Sequence, residues 1–98
     1  MKLTGKTVLI TGASKGSGAA TARGFAEAGA NVALVARNGD AIAKLAGEIG
    51  QQAIAIPCDV SRFWEIQAAV DACLKAFGGL DVLIGNAGVI EPIAPLSE

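Results

Sequence analysis

Four short apolar runs, separated by three stretches of helical spacing, constrain this chain more than any other feature. The runs are Thr7-Val8-Leu9-Ile10, Val32-Ala33-Leu34-Val35-Ala36, the weaker Ala53-Ile54-Ala55-Ile56, and Leu80-Asp81-Val82-Leu83-Ile84. Apart from Asp81 they are continuous rather than alternating. That pattern belongs to strands covered on both faces, as in a parallel sheet.

Helical periodicity fills the gaps. Residues 17 to 28 are rich in Ala and are followed by Gly29. Ile42, Leu45 and Ile49 recur at helical spacing before Gly50, and Ile66, Val70, Cys73 and Phe77 do so before Gly78-Gly79. Glycine just past a helix end is a common stop. Ser61 is the expected N-cap of the third helix, because its hydroxyl can accept a free backbone N–H. Strand and helix therefore alternate, which implies right-handed crossovers and a parallel sheet.

With 98 residues there is room for one small domain. Apolar residues at 52% and charged residues at 17% exclude a disordered chain. Eight basic residues against nine acidic give a net charge of −1. No block of like charge offers a surface to nucleic acid or to an anionic membrane. No apolar stretch reaches transmembrane length and no signal peptide is visible, so the expected location is cytoplasmic. The chain contains no His and no Tyr, which removes imidazole and phenol catalysis and any His-based metal site. Cys58 and Cys73 cannot fill a zinc site alone and read as small buried hydrophobes.

The strongest local signal is Thr11-Gly12-Ala13-Ser14-Lys15-Gly16-Ser17-Gly18, between the first strand and the first helix. Glycine there permits a sharp turn and close approach of the backbone to a phosphate. The helix that follows offers free N–H groups and a positive dipole end. Ser14, Lys15 and Ser17 add possible donors. The spacing Gly-x-x-x-Gly-x-Gly is neither Gly-x-Gly-x-x-Gly nor a P-loop. An ordinary glycine-rich turn is the plainer alternative.

At the end of the second strand, an acid would bind an adenosine ribose and favour NAD. The sequence there is Ala36-Arg37-Asn38, and Asp40 falls at the start of the next helix. Arg37 suits a 2′-phosphate, with Lys15 in support, so NADP(H) is expected over NAD(H). A merely solvated Arg37 is the alternative.

The loop 11–18, the pair Asp59-Val60 after the third strand, and Asn86-Ala87-Gly88 after the fourth come in one order, each at a strand's C-terminal end. Together they resemble the N-terminal half of the short-chain dehydrogenase/reductase family. The resemblance implies a partial doubly wound, Rossmann-type α/β sheet of order 3-2-1-4. The first two helices should cover one face and the third helix the other. Residues 1–98 would be the dinucleotide-binding half of a single Rossmann domain. Gly12, Gly16 and Gly18 would line the pyrophosphate. Asp59 would receive the adenine amino group beside the Val60 backbone; the plainer alternative is an N-cap or turn acid just before Ser61. Asn86, Ala87 and Gly88 would pass close to the adenosine ribose and brace the sheet.

Two positions depart from the family pattern. Ser17 replaces a usual aliphatic residue, and Gly85 replaces a frequent Asn. The family's catalytic Ser, Tyr and Lys lie beyond the matched segment, so no catalytic residue and no metal ligand is named. The implied activity is hydride transfer between a nicotinamide and a carbonyl or alcohol substrate. The rival is a non-catalytic nucleotide-binding or interaction module. A methyl transferase with a similar glycine loop is disfavoured by Arg37. The fourth strand would form an exposed edge, so a homo-oligomer, or dependence on a further C-terminal half, is expected.

Overall fold

The computed structural model describes residues 3–13, 16–59, 62–85 and 88–89. The first apolar run becomes the centre of a sheet. In β1 (Thr7–Thr11), residues Thr7 to Ile10 are all buried. It pairs in parallel with β2 (Asn31–Ala36) on one edge and β4 (Val82–Gly85) on the other, with Val8 opposite both Val32 and Val82. β3 (Ala53–Pro57) pairs in parallel with the far edge of β2. The expected order 3-2-1-4 is found, and α1 (Gly16–Glu27), α2 (Gly39–Ile49) and α3 (Phe63–Phe77) are the three crossovers.

The pleat sorts the strand residues into two cores. Val8, Ile10, Val32 and Leu34 face α1 and α2, packing with Ala22, Ile42 and Leu45. Leu9, Ala33 and Val35 face α3, packing with Ala69 and Cys73. Alternate residues of one strand point to opposite faces, so a strand covered on both sides must be apolar throughout. Leu9, Ile10, Leu34 and Ile42 are fully buried. Burial of each such side chain is worth about 1.5–3 kcal/mol. Cys58 and Cys73 are both buried free thiols in the α3 core, as expected.

Two element boundaries and one added strand differ from the sequence reading. α3 begins at Phe63 with Arg62 in the N-cap position, not at a Ser61 cap, and Ser61 lies outside the described residues. The Arg62 amide donates to the Asp59 carbonyl at 3.0 Å. β4 begins at Val82, not Leu80, because Asp81 is used to close the end of β1 rather than to extend the ladder. Finally, a two-residue strand, β5 (Gly88–Val89), lies antiparallel on the outer edge of β4 and pairs with Ile84 and Gly85. The fourth strand is therefore the outermost parallel strand, with its C-terminal end partly covered.

Candidate functional site

In a parallel sheet with helices on both faces, the direction of winding reverses at one place. Here β1 leads through α1 to β2 on one side, while β3 leads through α3 to β4 on the other. The C-terminal ends of β1 and β4 therefore flank a crevice, the usual location of ligands in open α/β sheets. A cleft of about 70 Å³ lies there, lined by Ile10, Thr11, Ser17, Gly18, Thr21, Ile84 and Gly85. The Thr11 hydroxyl donates to the Ile84 carbonyl at 3.4 Å, tying the two strand ends together. Larger hollows exist elsewhere. One of about 250 Å³ lies between α1 and α2 around the Arg23–Glu48 ion pair, and one of about 330 Å³ lies beside β4 around Leu3, Phe25 and Val82. Neither adjoins the glycine loop.

The loop glycines differ in what they do. Gly12 has φ +68°, a left-handed conformation that a side chain disfavours, and it turns the chain out of β1. A Cβ on Gly18 would stand 2.5 Å from the Gly12 carbonyl oxygen and 3.0 Å from the Ala13 Cα, so α1 lies directly against the loop. A Cβ on Gly16, by contrast, would meet nothing within 4 Å. Gly16 is exposed at the first position of α1, where backbone N–H groups lack helical partners. The Ala13 amide donates to the Val35 carbonyl at 3.4 Å, anchoring the loop to β2. This open, positively polarised helix end over a tight turn fits an anionic group of phosphate size. In the first turns of α1, the Thr21 hydroxyl donates to the Ser17 carbonyl at 2.8 Å.

Arg37 follows β2 directly and is exposed. Asn38 caps α2, its side chain accepting from the Ala41 amide at 3.2 Å, and Asp40 lies in the first turn of that helix. The Cys58 amide donates to the Ala36 carbonyl at 2.9 Å, so the ends of β2 and β3 stay side by side and Arg37 and Asp59 emerge from neighbouring strands. Asp59 is half-buried. Its amide donates to Glu65 Oε1 at 2.8 Å, and Arg62 Nε stands 3.6 Å from its Oδ2. Burial, and then the Glu65 and Asp59 carboxylates, push the Cys58 thiol up from its ordinary value.

The fold thus gathers Gly12, Gly16, Ser17 and Gly18 at one corner, and sets Arg37 and Asp59 along the same C-terminal edge of the sheet. Gly88 lies in β5, opposite Gly85. Ser14, Lys15, Val60, Asn86 and Ala87 lie outside the described residues. Sequence reasoning did not single out Asn38, Thr21, Arg62 or Glu65. A visible signal existed for Asn38, a capping residue type two places before Asp40. For Glu65 the only hint was an acid in the first turn of a helix. Among the described residues no helix is long and apolar enough to cross a membrane.

A family model described as short chain dehydrogenase matches residues 6–98. The cis-4-hydroxycyclohexanecarboxylate dehydrogenase of Sinomonas cyclohexanicum is 42% identical over 95 residues, covering 95% of this chain and 38% of that enzyme. The 3-ketoacyl-(acyl-carrier-protein) reductase of Brucella melitensis, solved in complex with NADH, superposes with a TM-score of 0.81 at 44% identity. That match covers 84% of this chain and 34% of the reductase. The C-domain of a bacterial malonyl-CoA reductase, solved with NADP, superposes with a TM-score of 0.80 at 40% identity, covering 88% of this chain and 15% of the other. The chain thus spans well under half the length of these relatives.

Proposed function

The chain belongs to the short-chain dehydrogenase/reductase family, and on that premise we propose that residues 1–98 form the dinucleotide-binding half of a Rossmann domain, with NADP(H) preferred over NAD(H). The observation that carries this reading is the β1–α1 corner. An open Gly16 at a helix N-terminus stands over a turn fixed by Gly12 and closed by Gly18, beside the crevice between β1 and β4. Relatives solved with NADH and with NADP support a nicotinamide dinucleotide as the ligand class.

Each residue has a role on this reading. Backbone amides around Gly12, Gly16 and Gly18 hold the pyrophosphate, with Ser14, Lys15 and Ser17 as further donors. Arg37 pairs with a 2′-phosphate through its planar fork, and no acid stands beside it at the strand end to repel that group. Asp59 accepts from the adenine amino group, with the Val60 backbone beside it. Asn86, Ala87 and Gly88 pass the adenosine ribose. When bound, the nicotinamide supplies a hydride-transferring carbon, and the complete reaction would interconvert a carbonyl and an alcohol. The chain holds no Tyr or His to move the accompanying proton, so no catalytic residue is assigned. The second reading is a module that binds nucleotide without turnover. Two unpaired thiols, Cys58 and Cys73, suit a reducing compartment and support a cytoplasmic location.

The test is titration of NADP(H) and NAD(H) into the wild type and Arg37→Ala. Loss of a charge-assisted contact worth roughly 1.5–3 kcal/mol should weaken NADP(H) about tenfold or more. NAD(H) should be nearly unaffected. Equal losses for the two cofactors would sink the 2′-phosphate assignment, and no binding of either would sink the site. A reading frame that continues downstream into a Tyr-x-x-x-Lys segment would then separate the enzyme from the binding module.

A further inference from the structure

The corner between β3 and α3 is tied by side chains from the start of α3. Glu65, in the first turn of α3, turns back to accept the Asp59 amide at 2.8 Å. Arg62 Nε lies between two acids, 3.6 Å from Asp59 Oδ2 and 3.7 Å from Glu65 Oε2. These are charge contacts rather than hydrogen bonds. The Arg62 guanidinium also lies over the Trp64 ring, 5.8 Å from its centroid. Such cation–π contact holds a guanidinium in place. The upward push that both carboxylates exert on the Cys58 thiol is a second sign that they crowd one corner.

A carboxylate that must point at a ligand needs both its backbone and its charge held. Glu65 fixes the backbone at Asp59, and Arg62 offsets the repulsion between the two acids while attracting Asp59 Oδ2. A carboxylate can accept several bonds at once, so contact with Arg62 and acceptance from a base are compatible. We infer that Glu65 and Arg62 are positioning residues for Asp59, and that through Asp59 they set the preference of this site for adenine over a base with oxygen at the same ring position. The inference rests on the reading of the chain as a dinucleotide binder. It goes beyond that reading in naming the residues that fix base choice. An exocyclic amine donates to Asp59, whereas an exocyclic oxygen opposes it. A site built to receive an N–H discriminates strongly against an analogue lacking it.

The experiment compares affinities for the adenine dinucleotide and its hypoxanthine analogue, in the wild type and in Glu65→Ala, Glu65→Gln and Arg62→Ala. The wild type should prefer adenine. Glu65→Ala and Arg62→Ala should reduce that preference about threefold to tenfold by weakening the adenine form alone, the range expected for one hydrogen bond. Glu65→Gln keeps an oxygen for the Asp59 amide and should restore most of the preference. Circular dichroism checks folding. Should Glu65→Ala unfold, Arg62→Ala, which removes an exposed side chain, carries the same comparison. Equal loss for both bases would mean a merely structural corner and would overturn the inference, as would a wild type indifferent to the base. If neither dinucleotide binds the wild type, the proposed function itself has failed.

Discussion

The Thr7 amide donates to the Asp81 carboxylate at 2.8 Å, and the Asp81 amide donates back to the Thr7 carbonyl at 2.9 Å. Thr7 is buried, so its N–H depends on this side chain. The reciprocal pair fixes the entry of β4 beside β1 and thereby the register of the crevice at the far end of both strands. Asp81→Ala should cost about 1–3 kcal/mol, the usual penalty for an orphaned buried donor. Asp81→Asn, which keeps an acceptor oxygen, should cost less. Chemical denaturation of the two variants checks the order, and equal loss would assign the effect to charge rather than to the bond.

The loop glycines should separate stability from binding. Gly18→Ala forces backbone apart where α1 meets the Gly12 carbonyl, and overpacking of this kind costs about 1–3 kcal/mol. Gly16→Ala projects into open space, so its thermal midpoint should stay close to the wild type while dinucleotide affinity falls. Thermal unfolding alongside cofactor titration reads both. A Gly16→Ala protein that binds as tightly as the wild type would argue that the loop is only a turn.

Cys73 carries a pH dependence of definite sign. Burial, and then the Asp81 charge, push its thiol from 9.0 up to about 11. The folded chain thus holds this proton more tightly than the unfolded one. The stability so contributed is fully present below pH 9.0 and is lost as pH rises through about 11. Denaturation midpoints of the wild type should fall across that window more steeply than those of Cys73→Ala. Parallel curves would show that the thiol does not titrate this way.

Much of the architecture was legible because it is local. Continuous apolar runs marked the four parallel strands, and Gly29, Gly50 and Gly78 stood where the helices stop. The misplaced boundaries share one cause, a bond between residues apart in sequence. Asp81 read as part of a strand because nothing nearby reveals its bond to Thr7. Ser61 read as a cap because its residue type suits one, whereas the N-cap position falls at Arg62 and the Glu65 side chain reaches back to the Asp59 amide. At the glycine loop, spacing announced the turn, but the division of labour between Gly16 and Gly18 depends on which backbone lies behind each.

The outer side of β4 sets an expectation for the isolated chain. Among the described residues β5 pairs with Ile84 and Gly85 and not with Val82 or Leu83, and Val82 borders a largely apolar hollow with Leu3, Val8 and Phe25. A sheet edge left unpaired among the described residues, beside apolar surface, favours association. Sedimentation should show concentration-dependent oligomers or aggregates, reduced by Val82→Lys. A monodisperse monomer at all concentrations would contradict this and would favour the free-standing module.

The partners of β1 also arrive at different times during synthesis. β2 follows one helix later, whereas the bond that closes the other edge joins residues 74 apart. A nascent chain that has emerged only through β3 can assemble the α1–α2 face. Leu9, Ala33 and Val35 stay bare until α3 is made. Ribosomes stalled before Phe63 should therefore present a half-sheet with one greasy side, sensitive to protease and attractive to chaperones. Those stalled beyond β5 should do so less, with the α3 face covered. The central strand is the first to be made and the last to be enclosed.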